Sequence, residues 1–423
     1  MRGSLRVPGD KSISHRALLV SAIADGSTEI HGYLDAADPN ATLSALRALG
    51  VRIERDGTVL QVHGVGLHGL RAPTAPLDMG NAGTAMRLIA GLLAGQAFAS
   101  ELVGDASLSR RPMRRIAEPL ISMGAGVTTT DAGTAPINIH GEQPLRGGLA
   151  FSVTSAQVQG AILLAGLYAD GPTTVHADAP LRAHTEVMLR RFGVELRRDD
   201  ASLTLVPPNA LISPGVVEIP RDISSAAFHL VLAALNPDAE ITLRGVGADP
   251  TRDGVLRLLA RMGMAVARSD DGAVGGEHSA TLTARSTPLH GATLDGPDVT
   301  VAMDEFPILA IAAAGATGPS AVVGAPELRV KESDRISAMA QGLATLGIVV
   351  EEQPDGLVIQ GGRLSGGRVD ACGDHRVAMA FAVAATVAKG PIRIDGCGNI
   401  GTSYPGFVDD LRALGITVEV HES

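Results

Sequence analysis

The chain has no tryptophan, and aromatic residues make up only 2% of its 423 positions. With few rings to stack on bases and a net charge of −10, nucleic acid is excluded as its main partner. Lysine is almost missing: among 35 basic residues only Lys11, Lys331 and Lys389 are lysines. The only cysteines, Cys372 and Cys397, have no metal-ligand spacing around them and read as reduced thiols of a cytoplasmic protein. The longest apolar runs, such as AILLAGLY at 161–168, are too short to span a bilayer. The N-terminal MRGSLRVPGD has no apolar core of a signal peptide, so none is expected. No GxxxxGK[ST], HExxH or CxxC occurs, no GxSxG follows a strand, and no GxGxxG opens a helix. Phosphate-loop, zincin, serine-elbow and dinucleotide chemistries therefore lack their parts.

What is present is small and apolar. Hydrophobic residues reach 45% and glycine numbers 51. A core of Ala, Val, Leu and Gly implies closely packed helices and sheets, and this length implies two or three domains.

Two patterns recur. A Leu-rich helical stretch ends in glycine and runs into an alternating, strand-like segment: LSALRALGVRIE (Gly50), AEPLISMGAGVTTT (Gly124), EVMLRRFGVELRRD (Gly193), VLRLLARMGMAVAR (Gly263), MAQGLATLGIVVEE (Gly347) and VDDLRALGITVEV (Gly415). Each glycine suits the left-handed residue that ends a helix. In phase with it, roughly 40 residues earlier, a polar or Gly-containing turn opens a helix of small apolar residues. These helices begin at DKSISHR, GNAGTAM, TSAQVQG, RDISSAA, DEFPILA and GDHRVAM. They are apolar nearly all round and are expected to be buried, with the charged Leu-rich helices outside. The expected unit is strand, inner helix, strand, outer helix and two further strands, six times over, as two domains of three.

The chain's polar residues gather at the inner-helix starts, where free backbone N–H groups and the helix dipole favour anions. Lys11, Ser12 and Arg16 lie at the first, Asn81, Gly83 and Thr84 at the second, and Ser155 and Gln157 at the third. Asp304 and Glu305 lie at the fifth and His375 and Arg376 at the sixth, whereas the fourth, RDISSAAF, is the least equipped. Each piece alone has a plainer reading: DKS and NAGT as caps, RRPMRR at 110–115 as a solvated charge run, KESDR at 331–335 as a surface helix with i,i+3 and i,i+4 pairs. Their recurrence at repeat-equivalent places is what favours an anion site.

At these residues the sequence resembles the enolpyruvyl transferases, specifically the 5-enolpyruvylshikimate-3-phosphate synthase family. The segments that carry the resemblance are PGDKSISHRALL, LDMGNAGTAMRL, GDASLSRRPM, SAQVQGAILLAGL, HTEVML, SSAAF, DEFPILAIAAA, ELRVKESDRI, GDHRVAMA and TSYPGF, in order from residue 8 to residue 407. The resemblance implies an α/β fold of two similar domains, each of three βαβαββ repeats with buried inner helices (an inside-out α/β barrel). It places the N-terminal domain at 11–220 and the C-terminal domain at 221–423 plus 1–10, with crossings near Gly9–Asp10 and Pro220–Arg221. The active site is expected in the cleft between the domains.

The implied reaction joins phosphoenolpyruvate to the 5-hydroxyl of shikimate 3-phosphate by addition and elimination, releasing phosphate. No metal or organic cofactor is expected. By the resemblance, Lys11, Asp304, Glu332 and His375 are catalytic: Asp304 accepts the 5-hydroxyl proton, and Glu332 and Lys11 share proton transfer at C3. Lys11, Ser12, Arg16, Ser155, Ala156, Gln157, Arg182, Asp304 and Lys331 are expected to bind shikimate 3-phosphate. Lys11, Asn81, Gly83, Arg111, Gln157, Arg335 and Arg376 are expected to bind phosphoenolpyruvate. This accounts for the few lysines, since an ammonium can cycle a proton where a guanidinium cannot. Lys389, in AKGP, reads as a surface turn without a role. Glyphosate is expected to compete with phosphoenolpyruvate, and the protein is expected to be a cytoplasmic monomer with no nucleic-acid or membrane partner.

Several positions depart from the family's common pattern: Leu181 and Ala183 in LRAHTE, Gln159 after SAQV, Arg221 before the SSAAF turn, and Thr402. Two rival readings are a UDP-N-acetylglucosamine enolpyruvyl transferase and a non-catalytic anion-binding protein on the same scaffold. The first usually carries Asn after the first lysine and a reactive Cys in the first domain, where this chain has Ser12 and no cysteine. The second is expected to lose Lys11, Asp304 or Glu332, all of which are present. An RNA-end-processing enzyme of related repeats is disfavoured by the acidic charge and sparse aromatics.

Overall fold

The computed structural model describes residues 1–421 except 142, 143, 180, 275 and 276. The chain divides into two units, Gly9–Ile219 and Met1–Pro8 with Pro220–Ser423.

One plan runs through both. In the first repeat, strand Arg2–Leu5 precedes inner helix Lys11–Ala22, strand Ser27–His31, outer helix Ala37–Ala48 and the hairpin Arg52–Asp56/Val59–His63. The inner helices of the following repeats are Gly83–Ala94, Ala156–Gly166, Ile223–Leu235, Phe306–Ala314 and His375–Ala385. Each sheet is built alike, as the third repeat shows. Leu149–Ser152 pairs in parallel with Thr173–His176, which pairs antiparallel with Ser202–Leu205, which in turn pairs antiparallel with Leu196–Asp199.

The opening strands of the first and fourth repeats are exchanged. Arg2–Leu5 runs parallel to Glu240–Gly247, with Arg2 opposite Glu240. Val216–Glu218 takes the corresponding place beside Ser27–His31, with Val216 opposite Glu29. Each unit thereby completes its sheets with a strand from a distant part of the sequence.

The inner helices are buried because their residues are small and apolar. Every residue of Phe306–Ala314 is buried. A Cβ on Gly91 would lie 2.2 Å from the Ala161 carbonyl oxygen, so glycine is what lets the second and third inner helices touch. The outer helices bury one stripe, as Gly254–Arg261 buries Val255, Leu258 and Leu259 and keeps Arg257 and Arg261 at the surface. The six repeat glycines, 50, 124, 193, 263, 347 and 415, have φ between +83° and +95°, the left-handed turn expected of them.

The sixth repeat departs from the expected plan. After Gly415 the alternation of ITVEV reads as a strand, yet none forms there. Gly367–Asp370 and Ile392–Asp395 make only a two-stranded parallel sheet. In the other five repeats a returning strand supplies the ladder, and alternation without a pairing partner does not hold an extended segment. Instead the Val418 carbonyl accepts from Arg412 Nη2 at 2.9 Å. Among the described residues no helix is long and apolar enough to cross a membrane.

Candidate active site

The unit Gly9–Ile219 gathers cations at three inner-helix starts. Asp10 caps the first, its Oδ1 accepting from the Ile13 N–H at 2.9 Å. Lys11 follows, and its Nζ lies 2.8 Å from Asp38 Oδ2, in the first turn of the neighbouring outer helix. One turn on, Thr42 Oγ1 meets Nδ1 of the buried His15 at 2.7 Å. Burial, then the charges of Lys11 and Arg16, hold His15 well below its usual 6.5, so it is neutral. Arg16 donates Nε to Thr185 Oγ1 at 2.7 Å and Nη1 to the Ser12 carbonyl at 3.0 Å.

At the second helix start, Arg111 donates to Asn81 Oδ1 and, at 3.3 Å, to Ser107 Oγ. Asn81 is held in turn by Asp105, at 2.7 Å. Ser155 caps the third helix through the Gln157 N–H. The Gln157 amide is locked at both ends: Arg87 Nη1 donates to its Oε1 at 2.6 Å, and its Nε2 donates to Thr84 Oγ1 at 2.9 Å. Arg182 lies half-buried in the loop before helix His184–Arg191. The binding residues expected in the first domain thus lie at or against these helix starts, except Arg182, which leads into an outer helix.

The other unit builds a cluster in which cations and carboxylates are paired. Arg335 is fully buried at the start of helix Arg335–Thr345. Its Nε lies 2.8 Å from Asp374 Oδ2, its Nη2 2.7 Å from Glu332 Oε2, and its Nη1 3.5 Å from Asp304 Oδ1. Burial alone would lower the guanidinium pKa; the carboxylates of Asp374, Glu332 and Asp304 outweigh it and raise it. Lys331 Nζ lies 3.9 Å from Asp304 Oδ1. Asp374, with no exposure, also caps the sixth inner helix through the Arg376 N–H at 2.9 Å. Arg376 Nη1 reaches the Asp304 carbonyl at 3.3 Å, and His375 is buried beside it.

Asp10 and Asp374 already meet the helix dipoles at two of these starts. Any anion bound there is held by side-chain cations more than by free helix N–H groups. The charged runs divide by role. Within RRPMRR, Arg111 is buried and Arg110 and Arg114 are exposed. KESDR is no surface helix, because residues 331–333 form bends, Asp334 is the N-cap and the helix starts with the buried Arg335. Lys389 is an exposed turn residue. Thr402 bonds the Asn399 carbonyl in a short 3-10 turn, and Leu181 packs on the core.

Sequence reasoning missed Asp38, Arg87, Thr185 and Asp374. Arg87 carried a readable signal, a lone charge on an otherwise apolar helix. Among the described residues no group of three or more His, Cys, Asp or Glu side chains is arranged to hold a metal ion.

The comparisons with known proteins agree along the whole chain. The family model for EPSP synthase (3-phosphoshikimate 1-carboxyvinyltransferase) matches residues 1–411. A 3-phosphoshikimate 1-carboxyvinyltransferase of Methylococcus capsulatus is 52% identical, over 99% of this chain and 96% of the relative. One from Halorhodospira halophila is 54% identical, over 99% and 95%. A solved EPSP synthase from Acinetobacter baumannii superposes with a TM-score of 0.88 at 44% identity, covering 100% of this chain and 97% of that one. The chain belongs to the EPSP synthase family, the 3-phosphoshikimate 1-carboxyvinyltransferases.

Proposed function

We infer that this protein transfers the enolpyruvyl group of phosphoenolpyruvate to the 5-hydroxyl of shikimate 3-phosphate, releasing phosphate. The observation that carries the reaction is the family match over nearly the full chain, with relatives about half identical from end to end. The residue roles are our reading of the two clusters.

The reaction draws on both units. Arg16, Arg182, Ser12, Ser155, Gln157 and Lys331, with the backbone at Ala156, hold shikimate 3-phosphate. Arg111, Arg335 and Arg376 hold phosphoenolpyruvate, beside Asn81 and Gly83. Asp304 accepts the 5-hydroxyl proton as the oxygen attacks C2. Glu332 protonates C3, assisted by Lys11, with His375 near the pyruvyl group; phosphate then leaves as C3 gives up a proton.

The Arg335–Glu332 contact gives this sequence a logic. A phosphoenolpyruvate anion that takes the Arg335 fork competes with Glu332 for it. Glu332 then loses its cation, which favours its protonated form just as an acid is needed at C3. Glyphosate, an anion, competes at the phosphoenolpyruvate site, and the protein works as a monomer in the cytoplasm.

The test is phosphate release from phosphoenolpyruvate in metal-free buffer, with and without shikimate 3-phosphate. Release that requires shikimate 3-phosphate is the expected result. Release only with the UDP-sugar, or none from folded protein, overturns the reading.

A further inference from the structure

At the start of the fourth inner helix, polar groups that the proposed roles do not use bond one another inside the protein. Asp222 Oδ1 accepts from the Ser224 N–H at 3.0 Å and its Oδ2 from Ser225 Oγ at 3.0 Å. Arg252, 3% exposed, donates Nη2 to Ser224 Oγ at 3.0 Å and to Asp222 Oδ1 at 3.5 Å. The Ser224 hydroxyl then donates to Oε1 of Glu305, which has no solvent exposure. Glu305 Oε2 has no hydrogen-bond partner among the described residues.

A buried acidic side chain held by a hydroxyl is costly relative to an apolar residue of similar volume. Its neighbours indicate what offsets that cost. Glu305 ends the short 3-10 turn Met303–Glu305, whose middle residue is Asp304. The turn is fastened at two points: the Asp304 carbonyl accepts from Arg376 Nη1 at 3.3 Å, and the Glu305 side chain accepts from Ser224. The Asp304 side chain projects from between those fastenings towards Arg335, 3.5 Å away, and Lys331, 3.9 Å away.

We propose that Glu305 is a positioning residue: anchored on Ser224, it fixes the turn that aims the Asp304 carboxyl at the substrate hydroxyl. This rests on Asp304 being the group that accepts the 5-hydroxyl proton. Glu305 itself touches neither substrate. The fourth helix start, the least equipped for ligand in sequence, is on this reading the foundation of the base.

The test is steady-state and enzyme-excess kinetics of Glu305→Ala, Glu305→Gln, Ser224→Ala and Asp304→Asn, with the melting temperature of each. Glu305→Ala is expected to lower kcat by about 100-fold, the scale of a displacement of roughly 1 Å at a reacting group. KM for phosphoenolpyruvate is expected to stay within about twofold, because the interaction lost matters only in the transition state. Glu305→Gln keeps an acceptor for Ser224 and recovers most of the activity. Ser224→Ala lowers kcat in the same sense, and combined with Glu305→Ala it adds nothing further.

The deciding measurement adds Glu305→Ala to Asp304→Asn. If Glu305 acts through Asp304, this second change costs less than about threefold. A full additional 100-fold loss, or a normal kcat in Glu305→Ala beside a crippled Asp304→Asn, overturns the proposal. Near-normal kcat in Asp304→Asn itself instead defeats the assigned base. If Glu305→Ala does not fold, Ser224→Ala carries the test, and a kcat within twofold of the parent there refutes the anchoring.

Discussion

The two units share a repeat and an inner-helix frame, yet they surround the cations at their helix starts differently. In Gly9–Ile219, Arg16, Arg87 and Arg111 donate to hydroxyl, amide and carbonyl oxygens. Such bonds fix the direction in which each guanidinium points. In the other unit the carboxyls of Asp304, Glu332 and Asp374 surround one fully buried guanidinium, Arg335. On our reading of the roles, that arrangement sets the proton-handling acids, Asp304 and Glu332, around one cation. By the same reading, the first unit chiefly holds anions, while the second both holds phosphoenolpyruvate and handles protons. Lys11 crosses the division, as an ammonium on the cationic side already paired with a carboxylate, Asp38.

The largest expected effect tests that exception. Lys11→Met should lower kcat by about 10³-fold, within the usual range for loss of a proton-transfer group. Lys11→Arg separates charge from proton transfer. If it stays nearly as slow as Lys11→Met, Lys11 moves a proton. If it keeps more than a tenth of the parent kcat, Lys11 serves by its charge, and proton transfer belongs to the second unit alone. Single-turnover rates of phosphate release at saturating substrate give the answer.

Next in size is the stability of the two clusters. Asp374→Asn removes a buried partner of Arg335 and weakens the cap of the sixth inner helix. Breaking a buried pair costs about 3–5 kcal/mol. Arg87→Met, at the opposite cluster, removes bonds to the Gln157 amide oxygen and the Pro112 carbonyl and should cost about 2 kcal/mol. Urea unfolding of both variants checks the contrast; equal losses would mean the clusters do not differ in how they are held.

What was legible in the sequence follows from range. The inner-helix starts stand out because polar residues interrupt apolar runs, and the outer-helix ends because a glycine must turn left-handed there. The partners of the site residues do not stand out. Lys11 meets Asp38 27 positions away, Arg87 meets Gln157 70 away, and Arg16 meets Thr185 169 away. Nothing local marks such pairs, because tertiary packing of neighbouring helices creates them. The segment after Gly415 shows the opposite failure: a correct local pattern without a strand to pair with. RDISSAAF reads as poor because Asp222 and its two serines serve an interior network instead of a ligand.

Each unit also buries a histidine on an inner helix, and pH separates their surroundings. His229 Nε2 lies 2.8 Å from the Tyr404 hydroxyl, which donates to Asp410 Oδ2 at 2.5 Å, so the neutral ring carries its proton on Nε2. Burial lowers His229 to about 4. The unfolded chain takes up this proton below about 6.5 while the folded chain does not, so the stability is complete above that pH and falls as pH drops towards 4. The loss by pH 4 is roughly 3 kcal/mol. Asp410, shifted up by burial, works in the opposite sense at the acid end, which makes pH 4.5–6.5 the informative window. Urea unfolding across that window should show stability falling with pH, less steeply in His229→Gln. An unchanged slope would place the acid sensitivity elsewhere, with His15 the next candidate because its shift has the same direction.

The smallest expected effect concerns one methyl group. The second inner helix begins with Gly83, where a Cβ would lie 3.0 Å from Arg87 Nη1 and 3.1 Å from Arg111 Nη1. The fifth, at the matching place in the other unit, begins with Phe306, which is buried in the core. Glycine is needed at the first because two guanidinium groups crowd the helix start; no such crowding forbids a side chain at the second. Gly83→Ala should push both arginines by a few tenths of an ångström, an overpacking cost of about 1–2 kcal/mol. Arg111 faces phosphoenolpyruvate on our reading, so KM for phosphoenolpyruvate should rise about tenfold and inhibition by glyphosate should weaken by at least as much. The KM for shikimate 3-phosphate should move less, because Arg16 and Arg182 are not touched by the added methyl. A rise confined to shikimate 3-phosphate would reverse the assignment of Arg111. Unchanged constants for both would show that the two arginines yield to the methyl without loss.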